Sequence, residues 1–192
     1  NSGGYPSRFL QRLPIHRWLC NYFPITLHQT ADLPDDHNYL IGVHPHGIVC
    51  VSAFVFSGNG TGILDRFPNL KFHLCALNPN FWFPLRREWL LLHGVISCAK
   101  ESILLQNILC ITINLAFRHV LNRKRKGQAA VLVVGGAEES MDAHPGKYIL
   151  TLKNRKGFVK VALESGAHLV PCFAFGENEV YRQVSNEEVC LI

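Results

Sequence analysis

The 192-residue sequence lacks the patterns that mark several common protein classes. Seven cysteines are present, but no two form a C-x-x-C pair, which argues against a zinc site. Their odd number and scattered positions also argue against a disulfide framework, so we expect reduced thiols in a domain that faces the cytosol. No serine stands in a G-x-S-x-G context, which argues against a serine hydrolase, and no glycine-rich phosphate loop follows a strand.

Long hydrophobic runs are also missing. The longest uncharged apolar segment, 102–117, is shorter than the roughly 20 residues that span a bilayer comfortably. A buried or interfacial helix is therefore the better prediction for it. The sequence shows no signal peptide and no clear transmembrane helix.

Charged residues are scarce, at 17% of the chain against a usual fraction of about a quarter, whereas 48% of residues are hydrophobic. We expect apolar surface to remain for a membrane or a lipid. The net charge of +5 suits a partner that carries phosphate, either an anionic membrane or a phosphorylated cofactor. Nucleic acid is not expected, because no RNA- or DNA-binding signature appears.

The order of predicted elements indicates one α/β domain preceded by an arm. Residues 1–38 mix arginines with aromatic residues, a composition that fits either a membrane interface or an ordinary arm packed on the domain. Strand, helix and strand in succession near the end of the chain require at least one parallel crossover. We predict strands at 39–43, 129–134 and 168–175 and helices at 81–94 and 156–165, whereas 48–56 is ambiguous.

The segment His44-Pro45-His46-Gly47 directly follows the first predicted strand. Pro45 favours an extended His44, which would place His44 and His46 on one side of the chain. An imidazole at a strand end suits a general base for an alcohol, and a helix starting at Gly47 or Ile48 would favour its neutral form. The alternative is a strand end that carries two partly buried histidines.

Carboxylates also follow two of the predicted strands. In open α/β sheets, ligands bind beyond the carboxyl ends of strands, so these groups and the histidines are expected to lie near one another. A carboxylate there could orient a histidine ring and stabilise it once protonated. The carboxylates are Glu138 and Glu139, after Gly135-Gly136, and Glu177 and Glu179, after Phe175.

Five motifs occur in order along the chain: HPHG at 44–47, LRRE at 85–88, VVGGAEES at 133–140, NRKGFVKVAL at 154–163 and FGENEVY at 175–181. Taken together, they resemble the diacylglycerol acyltransferase type 2 family. That family includes monoacylglycerol and acyl-CoA wax alcohol acyltransferases. The resemblance extends from about residue 5 to residue 181.

The resemblance implies a membrane-associated α/β fold with a mixed, mostly parallel sheet flanked by helices, similar to other glycerolipid acyltransferases. It implies an enzyme of the endoplasmic reticulum membrane whose catalytic domain faces the cytosol. The expected reaction transfers a fatty acyl group from acyl-CoA to a mono- or diacylglycerol in triacylglycerol synthesis, or alternatively to a long-chain alcohol. Acyl-CoA is a co-substrate, and neither a metal nor a separate cofactor is expected.

The resemblance also assigns catalytic roles. His46 would be the general base on the acceptor hydroxyl, and His44 would be its neighbour or the base itself. Glu139 would support the histidine. Because no well-placed serine or cysteine nucleophile is visible, we expect direct attack of the hydroxyl oxygen on the thioester rather than an acyl-enzyme.

Substrate binding is predicted for a second set of residues. Arg155, Lys156 and Lys160 are candidates for the CoA phosphates, with a solvated helix face as the alternative. Arg86 and Glu88 would position a headgroup or form a surface ion pair, and Glu177 and Glu179 are interpreted mainly as strand ends. The complete predicted set for acyl-CoA or acceptor is Gly47, Gly135, Gly136, Arg155, Lys156 and Arg86.

The sequence departs from the family pattern in three ways. A hydrophobic hairpin before the His motif is absent, the chain ends soon after FGENEVY, and 104–117 has no counterpart, so we expect an insertion there. We therefore predict a membrane-proximal arm at 1–38 and an acyltransferase domain at 39–192 that is truncated at its C-terminus. A non-catalytic membrane-binding fragment and a metal hydrolase using His44 and His46 are the remaining alternatives.

Overall fold

A five-stranded sheet forms the centre of the protein. The computed structural model describes residues 4–97, 119–122 and 124–183. The strand order is β3-β2-β4-β1-β5, and all four pairings are parallel, so the described strands show no mixed character. The strands are β1 Tyr39–His44, β2 Lys71–Ala76, β3 Ile96–Ser97, β4 Gln128–Val133 and β5 His168–Phe173.

Helices connect and cover these strands, which confirms the α/β class. The α-helices are α1 Arg8–Gln11, α2 Pro14–Tyr22, α3 Ile63–Arg66, α4 Pro84–Leu92, α5 Gly136–Met141 and α6 Gly157–Ser165. In the described part of the chain, 3₁₀ helices lie at Val51–Ser57, Asn78–Phe81 and Glu177–Glu179.

The position of β1 decides where a site can form. Its Val43 lies opposite Val133 of β4 on one side and Cys172 of β5 on the other. Because all three strands are parallel, the loops that follow them emerge at the same edge of the sheet. Residues after His44, after β4 and after β5 therefore meet there.

Alternate residues of β1 enter two separate cores, as the two-residue repeat of a strand requires. Ile41 and Val43 pack in a cluster with Phe56 and Phe72. Leu40 points to the other face, where it packs in a cluster with Val161 of α6. A central strand that is buried on both faces explains why residues 39–43 read as a continuous apolar run.

Most predicted elements near the site are confirmed. The helix expected at 81–94 is α4, with Pro84 at its first turn and Gly94 in the left-handed region at φ 80° just beyond it. The helix expected at 156–165 is α6, and Gly166 ends it with φ 65°. The ambiguous stretch 48–56 is mostly a 3₁₀ helix. Strands β2 and β3 were not predicted.

The N-terminal arm packs against the domain through backbone hydrogen bonds. The amide of Tyr5 donates to the carbonyl of Leu91 at 3.0 Å, and that of Ser7 donates to Leu92 at 2.7 Å. Within the described residues, no helix combines the length and apolar character needed to cross a bilayer. The expected insertion at 104–117 lies outside the described residues.

Candidate active site

Strand β1 ends at His44, and the His44–Pro45 peptide bond that follows is cis. The extended backbone predicted for His44 is confirmed, because it is the last strand residue. The placement of His44 and His46 on one side of the chain stays a prediction. The helix expected at Gly47 or Ile48 is wrong, because the first helical residue is Val51 and Glu177 accepts its N–H. A helix dipole that favours the neutral form of His44 or His46 is therefore not supported, because the helix begins only at Val51.

Glu139 and His44 form a buried pair at this edge of the sheet. Nδ1 of His44 lies 3.1 Å from both Oε1 and Oε2 of Glu139. Glu139 is 1% exposed, whereas the His44 side chain keeps 11% of its surface exposed. The pairing of β1 with β4 brings the two together, because α5 begins just after β4.

Backbone amides bind the same carboxylate. The N–H of His46 donates to Oε1 of Glu139 at 2.7 Å, and the N–H of Thr151 donates to Oε2 at 2.9 Å. Burial acts to raise the pKa of Glu139, but the hydrogen bonds from His44, Thr151 and His46 outweigh it and leave the pKa below its ordinary value. Glu139 is thus a buried anion fixed from three directions.

The lowered pKa of Glu139 predicts how stability depends on pH. A carboxyl whose pKa is lower in the folded protein stabilises the fold above its unfolded pKa of about 4.3, and the effect is lost as pH falls through the folded value. We expect Glu139→Gln to be less stable than the wild type at pH 7, by about 1–3 kcal/mol. Thermal unfolding of both proteins from pH 7 to pH 3 measures the difference.

The difference should narrow as pH falls below about 4.3 towards pH 3, because the unfolded chain takes up a proton on Glu139 more readily than the folded protein does. Glu138→Gln is the matched control, because the Glu138 side chain is 65% exposed and pairs with Arg155 at the surface. A stability difference for Glu139→Gln that stays constant down to pH 3 would contradict this assignment.

The paired glycines before α5 make room for Glu139. A Cβ on Gly135 would lie 2.2 Å from Cδ of Glu139, so no larger residue fits beside the carboxyl group. Gly136 adopts φ 62°, a conformation that L residues rarely take. The structure thus gives both glycines a conformational role, and their predicted contact with substrate stays a prediction.

The His46 ring is held separately from that of His44. Its Nδ1 lies 2.9 Å from the carbonyl oxygen of Gly47. Each ring therefore uses Nδ1 for its contact, and neither Nε2 has a hydrogen-bond partner among residues 4–97, 119–122 and 124–183. If Nδ1 carries the proton, the lone pair on Nε2 is the basic position of each ring.

Cys50 is the thiol nearest in sequence to these histidines, and it is unsuited to nucleophilic attack. It is buried, and burial together with the negative charge of Glu177 raises its pKa to about 12. Burial also raises the pKa of Cys20 and Cys172. Because the thiolate is the reactive form, burial disfavours nucleophilic attack by these three thiols, and direct attack of the hydroxyl stays a prediction.

The predicted cationic residues are dispersed. Arg155 donates to Glu138 at 3.0 Å and to the carbonyl oxygen of Gly135 at 3.4 Å, which places it beside the Glu139 helix. Lys156 is exposed immediately before α6, and Lys160 pairs with Glu164 at 4.0 Å.

Arg86 lies in the first turn of α4. Its side chain donates to Asn80 at 2.6 Å, within the segment that joins β2 to α4. It makes no hydrogen bond to the His–Glu cluster among the described residues. Arg155 thus contacts the helix that carries Glu139, whereas the predicted role of Arg86 in substrate binding stays a prediction.

The acidic residues after β5 face the same loops. Glu177 accepts hydrogen bonds from the backbone of residues 51 and 52, and Glu179 accepts one from the Tyr148 hydroxyl at 2.8 Å. The sequence interpretation as strand ends missed these contacts. Their sequence signal is a carboxylate directly after an apolar strand, at the edge where His44 also lies.

Within the described ranges, no group of three or more histidine, cysteine or acidic residues is arranged to hold a metal ion. Several exposed apolar residues are neighbours of the cluster in sequence or in strand register. We call the following exposed set the apolar rim: Ile48, Val49, Tyr148, Ile149, Leu150 and Phe173. Phe173 lies opposite His44 in the β1–β5 pairing, and Thr151, which binds Glu139, directly follows Leu150.

Comparison with known proteins gives one consistent result. The family model described as "Diacylglycerol acyltransferase" matches residues 1–192. The chain is 45% identical to "2-acylglycerol O-acyltransferase 1" of Bos taurus over 97% of its own length and 52% of that protein. It is 43% identical to "Diacylglycerol O-acyltransferase 2" of Xenopus tropicalis, covering 97% of the chain and 48% of the relative.

A fungal relative shows a similar degree of identity and coverage. "Diacylglycerol O-acyltransferase 1" of Schizosaccharomyces pombe is 41% identical over 93% of the chain and 48% of the relative. The chain therefore spans about half the length of the curated relatives it matches. No solved structure matches it significantly.

Proposed function

The chain belongs to the diacylglycerol acyltransferase family, and from this membership we propose that it transfers a fatty acyl group from acyl-CoA to the hydroxyl of a mono- or diacylglycerol. Acylation of a diacylglycerol gives triacylglycerol. The observation that carries the proposal is the buried His44–Glu139 pair, because a carboxylate-supported imidazole suits a general base for an acceptor hydroxyl.

In the proposed mechanism, Nε2 of His44 accepts the proton of the acceptor hydroxyl while the hydroxyl oxygen attacks the thioester carbonyl carbon. The new C–O bond forms, the C–S bond breaks, and the CoA thiolate leaves and takes up the proton from His44. Glu139 keeps the proton of the neutral ring on Nδ1 and stabilises the ring when both nitrogens are protonated.

Two observations favour His44 over His46 as the base. Glu139 contacts the His44 ring, but it reaches His46 only through the backbone N–H. A buried carboxylate also stabilises an imidazolium more effectively than the carbonyl of Gly47, to which the His46 ring is bound. We assign His46 to the substrate-facing side of the same site, as a second imidazole.

The surroundings of the pair suit the proposed substrates. The apolar rim would receive the acyl chains, because burial of exposed apolar area is favourable and needs no directional partner. Arg155 and Lys156 would bind the CoA phosphates, since both follow the segment that carries Thr151. Arg86 stays a candidate without an assigned contact, because its side chain donates to Asn80.

We further propose that the protein works at the membrane of the endoplasmic reticulum. Two neighbouring elements, the arm and the α4 region, expose large aromatic and aliphatic side chains, the kind that insert at a bilayer interface. The Tyr5 hydroxyl donates to Glu88 of α4, which joins the two elements. The exposed side chains are Phe9, Ile15, Trp18 and Tyr22 of the arm and Trp82, Phe83, Leu85 and Trp89 around α4.

An assay in microsomes tests these proposals together. Labelled oleoyl-CoA is supplied with a monoacylglycerol, a diacylglycerol or a long-chain alcohol, and microsomes without the chain serve as the blank. We expect the chain to sediment with the membranes and to form labelled acylglycerol, without loss of activity when a metal chelator is added.

Three other outcomes would each support one of the alternative functions. Transfer only to the long-chain alcohol would replace the proposed acceptor. Sedimentation without any transfer would leave a non-catalytic membrane-binding chain. Activity that the chelator abolishes would overturn the metal-free mechanism.

A further inference from the structure

A second buried carboxylate lies on the other side of the loop that carries His46. Glu139 binds the beginning of this loop, at His46 N–H, and Glu177 binds its end. Glu177 is 5% exposed and lies in the 3₁₀ helix that follows β5. The catalytic mechanism proposed above gives it no role.

Both oxygens of Glu177 are occupied by backbone amides. Oε1 accepts the N–H of Val51 at 2.8 Å, and Oε2 accepts the N–H of Ser52 at 2.8 Å. These amides belong to the first turn of the 3₁₀ helix after the loop, where backbone N–H groups have no partner within the helix. Glu177 therefore fixes the point at which the loop rejoins regular structure.

The same side chain also contacts the loop at Gly47. A Cβ built on Gly47 would lie 2.6 Å from Cγ and 2.7 Å from Oε1 of Glu177, so only glycine permits this approach. Gly47 also adopts φ 59°, in the left-handed region. The position of the Gly47 peptide is thus set by direct packing against Glu177.

The Gly47 peptide in turn orients His46. Its carbonyl oxygen lies 2.9 Å from Nδ1 of the His46 ring. A shift of Glu177 would move Gly47 and, through its carbonyl, the direction of the His46 ring. The contacts form one continuous path from Glu177 through Gly47 to His46.

We infer that Glu177 is a positioning residue for His46, acting through Gly47, just as Glu139 acts directly on His44. This inference rests on the proposed function only in its consequence for the rate. Each imidazole of the site then has its own buried carboxylate. The sheet supplies both, because α5 follows β4 and the 3₁₀ helix at Glu177–Glu179 follows β5, on the two sides of β1.

A measurement on the histidine rings tests the inference without any assay of activity. In the full chain labelled with ¹⁵N-histidine, the ring nitrogens of His44 and His46 are assigned by their loss in His44→Ala and His46→Ala. We expect Glu177→Gln to shift the His46 ring signals and leave those of His44 in place. The amide of glutamine can accept only one of the two backbone N–H groups that Glu177 binds.

Two further variants make the result decisive. Glu177→Asp keeps both oxygens and the charge but is shorter by one methylene, so it should fold and shift the His46 signals by a smaller amount. Asp36→Asn removes the same charge just before β1, at the opposite edge of the sheet, and should shift neither ring. Unchanged His46 signals in folded Glu177→Gln and Glu177→Asp would overturn the inference.

If the chain is active, the rates give a second readout. Misplacement of His46 should lower kcat for acyl transfer by about 10-fold and change the KM for acyl-CoA by less than about 2-fold. Adding Glu177→Gln to His46→Ala should then cause no further loss. Full additivity of the two changes would show that Glu177 acts elsewhere, whereas a chain without acyl transfer would refute the proposed function and leave the ring measurement intact.

Discussion

His44→Ala is expected to lower acyl transfer by about 10³-fold, whereas His46→Ala lowers it by about 10-fold. The reason is the carboxylate: both Glu139 oxygens lie 3.1 Å from Nδ1 of His44, whereas the His46 ring is bound only to a neighbouring carbonyl. A base supported by a buried anion gains most as it takes up the proton. Initial rates at saturating acyl-CoA and acceptor measure both variants.

Both histidine variants need a check of folding, because His44 is itself buried. Thermal unfolding at pH 7 shows whether each variant retains the fold at the assay temperature. If the order of the two rates is reversed, with His46→Ala the more severe, the base is His46, and the role of Glu139 is to hold its backbone. Equal losses would indicate that the two rings act as one unit.

Gly135→Ala is expected to cause the second large loss, although it leaves every candidate catalytic side chain in the sequence. The added methyl group would lie 2.2 Å from Cδ of Glu139, so the carboxyl group must move away from His44 and from its two backbone donors. We expect a loss of about 3 kcal/mol in the free energy of unfolding and of at least about 100-fold in the transfer rate.

Gly136→Ala is the matched control for this change. Gly136 has φ 62°, so alanine there strains the backbone by about 1–2 kcal/mol, but nothing lies within 4 Å of the added Cβ. Denaturant unfolding and the transfer rate should therefore separate the two variants. If Gly136→Ala loses as much activity as Gly135→Ala, backbone conformation rather than space for Glu139 limits the reaction.

The pairing of His44 with Glu139 could be predicted from the sequence, because both residues lie at or just after the end of an apolar strand. Parallel strands end at one edge, so the two were expected to meet. Strand β2 was not found, because Lys71 and His73 interrupt its apolar character. His73 is nevertheless buried, and its Nε2 lies 3.1 Å from the side-chain oxygen of Gln128, a contact that no local pattern reveals.

The roles of Glu177 and Gly135 could not be predicted for a related reason. Glu177 binds backbone N–H groups. Because every residue except proline has a backbone N–H, the sequence does not show which residues Glu177 binds. The sequence shows Gly135 and Gly136 as an adjacent pair, and the family resemblance predicts only that they contact substrate. Only the three-dimensional arrangement shows that one of them is required by the Glu139 side chain and the other by its own backbone angle.

The distance along the chain between the paired groups has a consequence for folding. His44 and Glu139 are 95 residues apart in sequence, and Val51 and Glu177 are 126 apart. Contacts of such separation require the closure of long loops, so they form after local helices and slowly. The candidate active site can therefore form only once β1 has joined both β4 and β5.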